Sequence, residues 1–356
     1  MCEKITILGI ESSCDETAVS IIEEKNGKIK ILSNIVSSQF DIHKEFGGVV
    51  PELAARAHVE KIDLITEKAI SESGINIDEI DAVAATAGPG LIVCLSVGLN
   101  FGKTIAASLK KPFIAVNHLE GHALSPKLNT NLEFPYLLLL ISGGHTQYLS
   151  VKNLGDYKRL GTTIDDALGE AFDKTAKIIG IEFPGGPKIE SFAKLGDKNR
   201  FSLPKPILNR GGCNLSFAGL KTAILRLKPE INTQQDKFDL AAAFQEVIEE
   251  ILYKKTKKAF EIYLNENSFM NKIFVVAGGV AANKGIKNKL IKLSEDNGFK
   301  CLFPDVNLCS DNAAMIALVG LEKFKIKSFN KLNFKVNPRW QLDEKAKFLK
   351  GAGVKI

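Results

Sequence analysis

Apolar runs joined by short polar turns open both halves of the chain. The first half begins with ITILGIESSCDETAVSII, in which a small, polar turn at 12–16 separates two apolar runs. The second half shows the same order in YLLLLISGGHTQYLSV, with its turn at 142–146. Apolar runs of this length, bounded by turn residues, are typical of buried strands. Each pattern therefore predicts a β-hairpin, and the repetition predicts two related halves.

Stretches with helical spacing of apolar residues follow each predicted hairpin, and short apolar strands alternate with them. The predicted helices span residues 50–73, 91–109, 165–179, 236–264 and 311–324. The predicted strands span residues 82–86, 112–116, 272–277 and 300–303. Alternation of strands and helices indicates an α/β fold in which helices pack on mixed sheets.

The two related halves predict two lobes that face each other across a central cleft. The boundary is expected in a polar, Asn-rich stretch, which gives an N-terminal lobe at 1–130 and a C-terminal lobe at 131–310. A helix at 311–325 is expected to pack back on the first lobe, and a basic tail follows at 326–356. The stretch 195–219 predicts a long loop, and long ordered loops often carry function.

Composition narrows the class of protein. Hydrophobic residues make up 45% of the chain and charged residues 25%, which argues against a disordered protein. No apolar run approaches the roughly 20 residues that a membrane helix needs, and the N-terminus lacks the layout of a signal peptide. The six cysteines are scattered without a C-x-x-C pair, which favours reduced thiols. The protein is therefore predicted to be cytoplasmic.

The net charge of +6 is mild, but it is unevenly distributed. From Lys323 to the C-terminus, ten Lys and Arg residues stand against two acidic residues, Asp343 and Glu344. The basic residues alternate with Phe324, Phe329, Phe334 and Trp340. Two interpretations stay open, namely a solvated tail with a few docking aromatic residues, or a surface that contacts nucleic acid.

Two of the five histidines, His118 and His122, lie four residues apart in the segment NHLEGH. If this segment is helical, the spacing places both imidazoles on one face. Neutral imidazoles are good ligands for zinc or iron, and a carboxylate is the usual third ligand. The alternative is a pair of exposed helix histidines. A zincin protease needs Glu directly after the first His, whereas Glu120 stands two positions on, so the spacing argues against a protease.

Four glycine-rich turns follow predicted strands or precede predicted helices, at 88–90, 142–144, 184–186 and 278–279. Glycine lets backbone amides approach phosphate oxygens. Four such turns in one chain favour a nucleotide-binding cleft over ordinary tight turns. None has the P-loop pattern G-x-x-x-x-G-K-[ST], which argues against a Walker-type ATPase.

Carboxylates stand at two further turns. Asp15 and Glu16 lie between the first two predicted strands, where they could act as a general base or cap the turn. Asp311 precedes an Ala-rich predicted helix, so local sequence favours a helix cap at Ser310 or Asp311. A carboxylate at this position could also complete a two-histidine metal site.

Six motifs occur in a fixed order along the chain, namely GIESSCDET, NHLEGH, LISGGHTQ, DDALGEAFDKTAKIIG followed by PGGP, GGVAAN and CSDNAAMIA. Together they closely resemble the TsaD family (also called YgjD or Gcp), the tRNA N6-adenosine threonylcarbamoyltransferases. The resemblance covers about residues 5–325. It implies the two-lobed fold of the actin, sugar kinase and heat-shock ATPase superfamily (ASKHA), with duplicated mixed-sheet lobes.

The resemblance also implies an activity, a cofactor and partners. Members transfer a threonylcarbamoyl group from threonylcarbamoyl-AMP to N6 of adenosine 37 in tRNAs that read codons beginning with adenine. One divalent ion, iron(II) or zinc, is implied on His118, His122 and Asp311. The implied partners are tRNA, a paralogous non-catalytic TsaB-like subunit and a small TsaE-like P-loop ATPase, with no membrane.

Further site residues follow from the resemblance by motif. The candidate catalytic carboxylates are Glu11, Asp15 and Glu16, of which Glu16 is favoured. The residues that match positions holding the adenosine and phosphate of the intermediate are Ile141, Ser142, Gly143, Gly144, His145, Asp173, Gly186 and Asn283. A kinase or heat-shock-type ATPase of the same fold does not need the paired histidines, and a non-catalytic relative would lack the two histidines and the aspartate together.

Overall fold

The computed structural model describes residues 4–266 and 271–346 of the chain. Within them the chain divides into two compact units. Unit 1 comprises the residues up to Asn131 together with Pro304–Glu344, and unit 2 comprises Leu132–Phe303 together with residues 345–346. Residues 304–310, expected in the second lobe, thus lie in unit 1 with the helix that follows them.

A five-stranded mixed sheet forms the centre of unit 1. Its strands are β1 (Lys4–Glu11), β2 (Glu16–Lys25), β3 (Lys28–Ser38), β4 (Ala82–Gly88) and β5 (Phe113–Asn117). Their spatial order is β3-β2-β1-β4-β5. The first three strands pair antiparallel, whereas β4 and β5 continue the sheet parallel to β1. Nearly all of β1 and all of β4 are buried, which explains their continuous apolar runs.

Unit 2 contains a second sheet with the same connectivity. Its strands are β6 (Tyr136–Ile141), β7 (Thr146–Asn153), β8 (Asp156–Thr162), β9 (Ile273–Ala277) and β10 (Lys300–Leu302). The spatial order β10-β9-β6-β7-β8 repeats that of unit 1, with three antiparallel strands and two strands parallel to the first. The predicted duplication and the predicted α/β fold with mixed sheets are therefore confirmed.

The third strand of each sheet, β3 or β8, is absent from the predicted elements. In both strands charged residues alternate with apolar ones, as in KIKILSNIVSS and DYKRLGT, so neither is a continuous apolar run. Each lies at the edge of its sheet, where exposed charged side chains are common because they discourage pairing with another chain.

Helices occupy most of the connections between strands. They are α1 (Phe40–His43), α2 (Pro51–Ser73), α3 (Ile92–Leu109), α4 (His118–Leu124), α5 (Leu168–Ile178), α6 (Gly185–Ala193), α7 (Ala218–Leu227), α8 (Gln234–Glu266), α9 (Lys284–Asp296) and α10 (Ala313–Lys325). The five predicted helices are present as α2, α3, α5, α8 and α10. The predicted long loop at 195–219 is also present, between α6 and α7.

α10 lies directly on the sheet of unit 1. A Cβ atom at Gly9 of β1 would stand 2.5 Å from the carbonyl oxygen of Ala313, and one at Gly320 would stand 2.5 Å from the Cβ of Ala84 in β4. Because neither glycine has a side chain, helix and sheet approach closely. This packing brings the residues that precede α10 towards the end of β1.

The expectation that no apolar run approaches membrane-spanning length is wrong for α3. Its 18 residues have a mean hydropathy of 1.5, so within the described residues one helix is long and apolar enough to cross a membrane. One side of α3 is buried in unit 1, through residues that include Leu99 and Ala106 of the hydrophobic core. A core helix passes the same test of length and composition, and we interpret α3 as one.

The predicted basic tail packs on unit 1 as far as Glu344. Phe334, Val336 and Trp340 lie against its hydrophobic core, and Asn117 donates a hydrogen bond from Nδ2 to the carbonyl oxygen of Trp340 at 3.1 Å. Docking of aromatic residues is therefore confirmed for Phe334 and Trp340. Residues 347–356 of the predicted tail lie outside the described residues.

Candidate metal centre and nucleotide-binding turns

The NHLEGH segment contains the end of a strand and the start of a helix. β5 ends at Asn117, whose side-chain oxygen accepts a hydrogen bond from the backbone N–H of Leu119 at 2.9 Å and caps α4. His118 and His122 therefore share one face of α4, with ring centroids 4.8 Å apart. Both side chains are buried, so the alternative of exposed helix histidines is wrong.

Asp311 stands just before α10 without capping it. Asn312 is the N-cap, and its side chain accepts a hydrogen bond from a backbone N–H in the first turn at 3.1 Å. The cap expected at Ser310 or Asp311 is therefore wrong by one or two residues, and the Asp311 carboxylate faces the histidines instead. Its Oδ1 lies 3.0 Å from Nε2 of His122 and 3.5 Å from Nε2 of His118.

Glu11, at the end of β1, contacts the other side of the His118 ring. Its Oε2 lies 3.0 Å from Nδ1 of His118. Thr86 donates its hydroxyl to the same oxygen at 2.6 Å, and the backbone N–H of Ser13 donates to the other carboxylate oxygen. Because Glu11 is fully buried and both oxygens have partners, its geometry favours orienting His118 so that Nε2 points to Asp311.

The buried charges of this cluster depend on one another. Burial opposes ionisation of Asp311, but the charge of His118 and hydrogen bonds from both histidines hold the pKa of Asp311 well below its ordinary value. Burial likewise opposes a charged imidazole, yet the carboxylates of Asp311 and Glu11 raise the pKa of His118 well above its ordinary value. The two carboxylates therefore favour a positive charge between them.

His118, His122 and Asp311 offer three ligand atoms that all lie within 4.8 Å of one another. Two imidazole nitrogens and one carboxylate oxygen form a donor set suited to zinc or iron(II). A metal-binding imidazole usually donates its second N–H to an acceptor, and Glu11 supplies one to His118. Among the described residues, Nδ1 of His122 has no such partner. The residues present therefore fit a divalent metal ion.

Asp15 and Glu16 follow Glu11 at the turn between β1 and β2, and both are partly exposed. Burial, with the nearby carboxylates of Asp311 and Asp15, raises the pKa of Glu16 well above its ordinary value. A carboxyl group with a raised pKa is better suited to accept and then release a proton near neutral pH.

A buried polar network fastens this turn to α2. Nε2 of His58 lies 3.1 Å from the carbonyl oxygen of Cys14, and Nδ1 lies 2.7 Å from the hydroxyl of Thr17. The side-chain amide of Gln39 lies 3.3 Å from Nδ1 of His58, and the backbone N–H of Gln39 donates to the carbonyl of Asp15 at 3.1 Å. Two successive carbonyls of the turn are thus held, and with them the position of the two candidate carboxylates.

In unit 2 the turn 142–145 joins β6 to β7. The backbone N–H of Ser142 donates to the carbonyl of His145 at 2.8 Å, and the Ser142 hydroxyl accepts from the backbone N–H of His145 at 3.1 Å. Gly143 and Gly144 are exposed, and a Cβ atom at either position would meet no atom within 4 Å. Their backbone amides can therefore be approached by a ligand.

A second glycine turn lies beside the first. A Cβ atom at Gly278, which follows β9, would stand 2.5 Å from the carbonyl oxygen of Ile141 at the end of β6. Since β6 and β9 run parallel, both turns lie at the carboxyl ends of their strands. Ligands of α/β proteins commonly bind at this edge of a sheet.

The two glycines of the PGGP segment have different surroundings. A Cβ atom at Gly185 would stand 2.6 Å from the Cβ of Ala176 and 2.8 Å from the Cα of Asp173, so no side chain fits there. The backbone N–H of Gly185 also donates to Oδ1 of Asp173 at 2.8 Å. At Gly186, by contrast, a Cβ atom would meet nothing within 4 Å.

Asn283, a candidate ligand contact, also makes hydrogen bonds that stabilise the fold. Its Oδ1 caps α9 by accepting from the backbone N–H of Ile286 at 3.0 Å. The same amide pairs with that of Gln245 on α8, through two hydrogen bonds of 2.9 and 3.1 Å. Its backbone N–H donates to the carbonyl of Val280 at 3.0 Å, and its carbonyl accepts from the backbone N–H of Lys287 at 2.9 Å. These contacts leave one Nδ2 hydrogen for a ligand.

Comparisons with known proteins identify the family of this chain. The family model TsaD, described as tRNA N6-adenosine threonylcarbamoyltransferase, matches residues 30–318. The tRNA N6-adenosine threonylcarbamoyltransferase of Pelagibacter ubique (strain HTCC1062) is 68% identical over 357 residues, covering 100% of each chain. The chain belongs to the TsaD family. The protein of the same name from Rickettsia rickettsii (strain Sheila Smith) is 51% identical, covering 96% of this chain and 99% of its own.

Solved structures that resemble this TsaD family member share its fold at low sequence identity. HypF of T. kodakarensis has a TM-score of 0.61 and 15% identity, covering 92% of this chain and 49% of its own. A full-length HypF in phosphate- and nucleotide-bound form has a TM-score of 0.57 and 14% identity, covering 92% of this chain and 47% of its own. With the two duplicated mixed sheets, this likeness confirms the predicted fold class.

Some residues that hold the candidate site residues in place are absent from the motifs that predict the site. Thr86 holds Glu11, and its signal in the sequence is its position near the carboxyl end of a buried strand. His58 and Gln39 hold the turn after β1, and Gln245 pairs with Asn283. No local spacing marks these three, because each contacts a partner in a different element.

Proposed function

We propose that this chain transfers the threonylcarbamoyl group of threonylcarbamoyl-AMP to N6 of adenosine 37 in tRNAs that read codons beginning with adenine. The observation that carries the proposal is full-length identity of 68% to a tRNA N6-adenosine threonylcarbamoyltransferase. In this reaction the bond between the carbamoyl carbon and a phosphate oxygen breaks, and a bond from that carbon to the adenosine amine forms. AMP leaves and N6-threonylcarbamoyladenosine is the product.

The metal ligands in this proposal are His118, His122 and Asp311, which would hold one iron(II) or zinc ion. Such an ion, when bound, polarises an oxygen of the substrate and orients it. The mutual distances of the three ligand atoms support this role. Glu11, buried against Nδ1 of His118, would set the direction of the His118 ring.

We place the proton acceptor in the turn between β1 and β2. The attacking amine loses a proton as its bond to carbon forms, and we assign the acceptor role to Glu16, with Asp15 as the alternative. The raised pKa of Glu16 supports this choice, because a base is most effective when its pKa lies near the working pH. The buried network of His58 and Gln39 would keep the turn in place.

The adenylate would bind in unit 2. The exposed backbone amides of Gly143 and Gly144 suit phosphate oxygens, since no side chain blocks them. The other proposed contacts to the adenylate are Ile141, Ser142, His145, Asp173, Gly186 and Asn283. Gly186 lies in the first turn of α6, where unpaired backbone N–H groups favour an anion.

The proposed partners and location follow the family resemblance. The protein would act on tRNA in the cytoplasm and without a membrane. It would work with a paralogous, non-catalytic TsaB-like subunit and a small TsaE-like P-loop ATPase.

Metal analysis combined with a transfer assay tests the proposal. Purified Asp311→Asn protein is assayed with threonylcarbamoyl-AMP, unmodified tRNA and the two proposed partners. We expect loss of bound metal and a fall in turnover on the order of 100-fold or more, because a Lewis acid contributes several kcal/mol to such a transition state.

The matched control is Asp305→Asn, which changes an exposed carboxylate that hydrogen-bonds Asn129 at 2.8 Å. It should keep metal content and turnover. Near-normal transfer by Asp311→Asn without bound metal would reject the catalytic role of the metal. Absence of transfer by the unaltered protein with both partners would reject the proposed reaction.

A further inference from the structure

A cavity in unit 1 lies where the end of α3 and the start of β5 meet the chain that follows α10. Its volume is about 600 Å³. The side chains on which the argument rests are Lys110, Lys111, Phe329, Lys331 and Leu332, which all line it. Phe329 and Leu332 are 44% and 48% exposed. The cavity thus combines apolar walls with three cationic side chains, and we call it the basic cavity.

Backbone hydrogen bonds fix the two sides of the basic cavity. Asn330 forms an antiparallel bridge with Phe113, and its backbone N–H donates to the carbonyl of Phe113 at 2.8 Å. The side-chain oxygen of Asn330 accepts from the backbone N–H of Ala115 at 2.9 Å. Lys103 on α3 donates to the carbonyl of Phe334. The lysines on either side are therefore held at a set separation by the fold.

The residues that line the basic cavity include no Asp or Glu. The longer stretches to which they belong, 88–119 and 323–342, contain none either. Lys323 pairs with Glu120 and Lys325 pairs with Glu24, from elsewhere in unit 1.

No ion pair forms to Lys110, Lys111 or Lys331 within the residues that the structure describes. Three unpaired cations around one concave surface produce a positive potential that attracts a polyanion.

We propose that the basic cavity binds the sugar–phosphate backbone of the tRNA substrate. Lysines at both rims suit consecutive phosphates, while Phe329 and Leu332 suit the apolar faces of a ribose or base between them. Contacts of this kind position a nucleic acid without reading its sequence. The proposal rests on the proposed function, which makes tRNA the polyanion that this chain holds.

Binding of an unmodified tRNA transcript at several salt concentrations tests the basic cavity. The variant Lys110→Gln/Lys111→Gln/Lys331→Gln removes three charges and keeps most of each aliphatic stem. We expect affinity to fall about tenfold or more at low salt. The slope of log affinity against log salt should become shallower by roughly 2 to 3, because each phosphate contact contributes about 0.7 to 0.9.

The matched control is Lys25→Gln/Lys28→Gln/Lys30→Gln, which removes the same charge from exposed positions at the β2–β3 hairpin of unit 1. It should keep the affinity and the salt slope of the unaltered protein. An equal loss of tRNA affinity in both variants would mean that the net charge of the protein alone determines binding, and it would overturn the proposal.

Transfer kinetics distinguish two outcomes, namely that the basic cavity does not bind tRNA and that the proposed function is wrong. In the assay with both partners, the cavity variant should raise KM for tRNA about tenfold and change kcat by less than about twofold. If the unaltered protein transfers the group and the variant matches it in KM, affinity and salt slope, the cavity assignment is wrong while the function stands.

If the unaltered protein neither transfers the group nor binds tRNA, the proposed function itself fails, and the cavity assignment with it. A membrane is the competing occupant. Unchanged tRNA binding, together with lost binding to phosphatidylglycerol vesicles, would assign the surface to lipid and overturn the proposal.

Discussion

When His118 is neutral, as ligation of a metal requires, Glu11 determines which ring nitrogen carries the proton. A carboxylate only accepts hydrogen bonds, so a neutral His118 beside it carries its hydrogen on Nδ1. The lone pair of Nε2 then points to the side where Asp311 and His122 lie. A buried carboxylate with no exposed oxygen thus contributes to the site through the ring that it orients.

The variant Glu11→Gln tests this role at the residue scale. Its amide can donate as well as accept, so the proton on His118 is no longer restricted to Nδ1. We expect metal affinity, measured by competition with a chelator, to fall about 10- to 100-fold. Glu45→Gln, at an exposed position of the same unit, should leave it unchanged. Equal metal affinity in both variants would contradict an orienting role.

Substitutions at the two glycines of PGGP should separate an effect on packing from an effect on ligand binding. Gly185→Ala places a Cβ against Ala176 and Asp173, so we expect the free energy of unfolding to fall by about 1 to 3 kcal/mol. Gly186→Ala faces open space and should unfold like the unaltered protein, while its KM for threonylcarbamoyl-AMP rises. Denaturant unfolding and transfer kinetics check both. An unchanged KM in Gly186→Ala would remove Gly186 from the proposed adenylate site.

At the scale of elements, α2 holds the turn between β1 and β2 through one buried histidine. The carbonyl of Cys14 can only accept, so Nε2 of His58 carries the hydrogen and Nδ1 accepts from Thr17. This arrangement uses the neutral imidazole. Burial lowers the pKa of His58 below its ordinary value, which also favours the neutral form.

The lowered pKa of His58 predicts how stability depends on pH. As pH falls through about 6.5, the unfolded chain binds the proton before the folded chain does, so the stability contributed by neutral His58 is lost with acid. In His58→Gln we expect a flatter dependence of unfolding free energy on pH between about 5 and 7, measured by urea titration. His145→Gln should keep the steeper dependence. Identical slopes in His58→Gln and the unaltered protein would refute this.

At the scale of the whole molecule, duplication places the functional turns at equivalent points of the two units. Each unit has its first turn after the central strand, at 12–15 in unit 1 and at 142–145 in unit 2. In both sheets two strands run parallel to that central strand. The ends of these strands supply turns that need no long side chains to reach a ligand.

Metal removal should affect the two units unequally. The proposed ligands and Glu11 connect β1, α4 and Asp311, which lies two residues before α10, all in unit 1. A ligand that binds only the folded state stabilises it, so chelation should speed amide exchange in β1 and α4 and leave β6 and β9 near their original rates. Hydrogen exchange read by mass spectrometry checks this. Equal acceleration in both units would argue against a metal held by unit 1 alone.

Local patterns in the sequence determined the two hairpins, the order of strands and helices, and the helix that places His118 beside His122. Backbone hydrogen bonding fixes the spacing of side chains within a strand or helix, so these features are readable from neighbouring residues. The same reasoning failed at Asp311, where a cap was the better local interpretation.

Tertiary packing decided the position of Asp311, which contacts His122 across 189 positions of sequence. It also decided that Glu11 orients a histidine, that His58 holds a turn and that the chain after α10 completes a basic cavity. These contacts form because elements pack face to face, as α10 does on Gly9 and Ala84. No spacing along the chain specifies which residues such packing brings together.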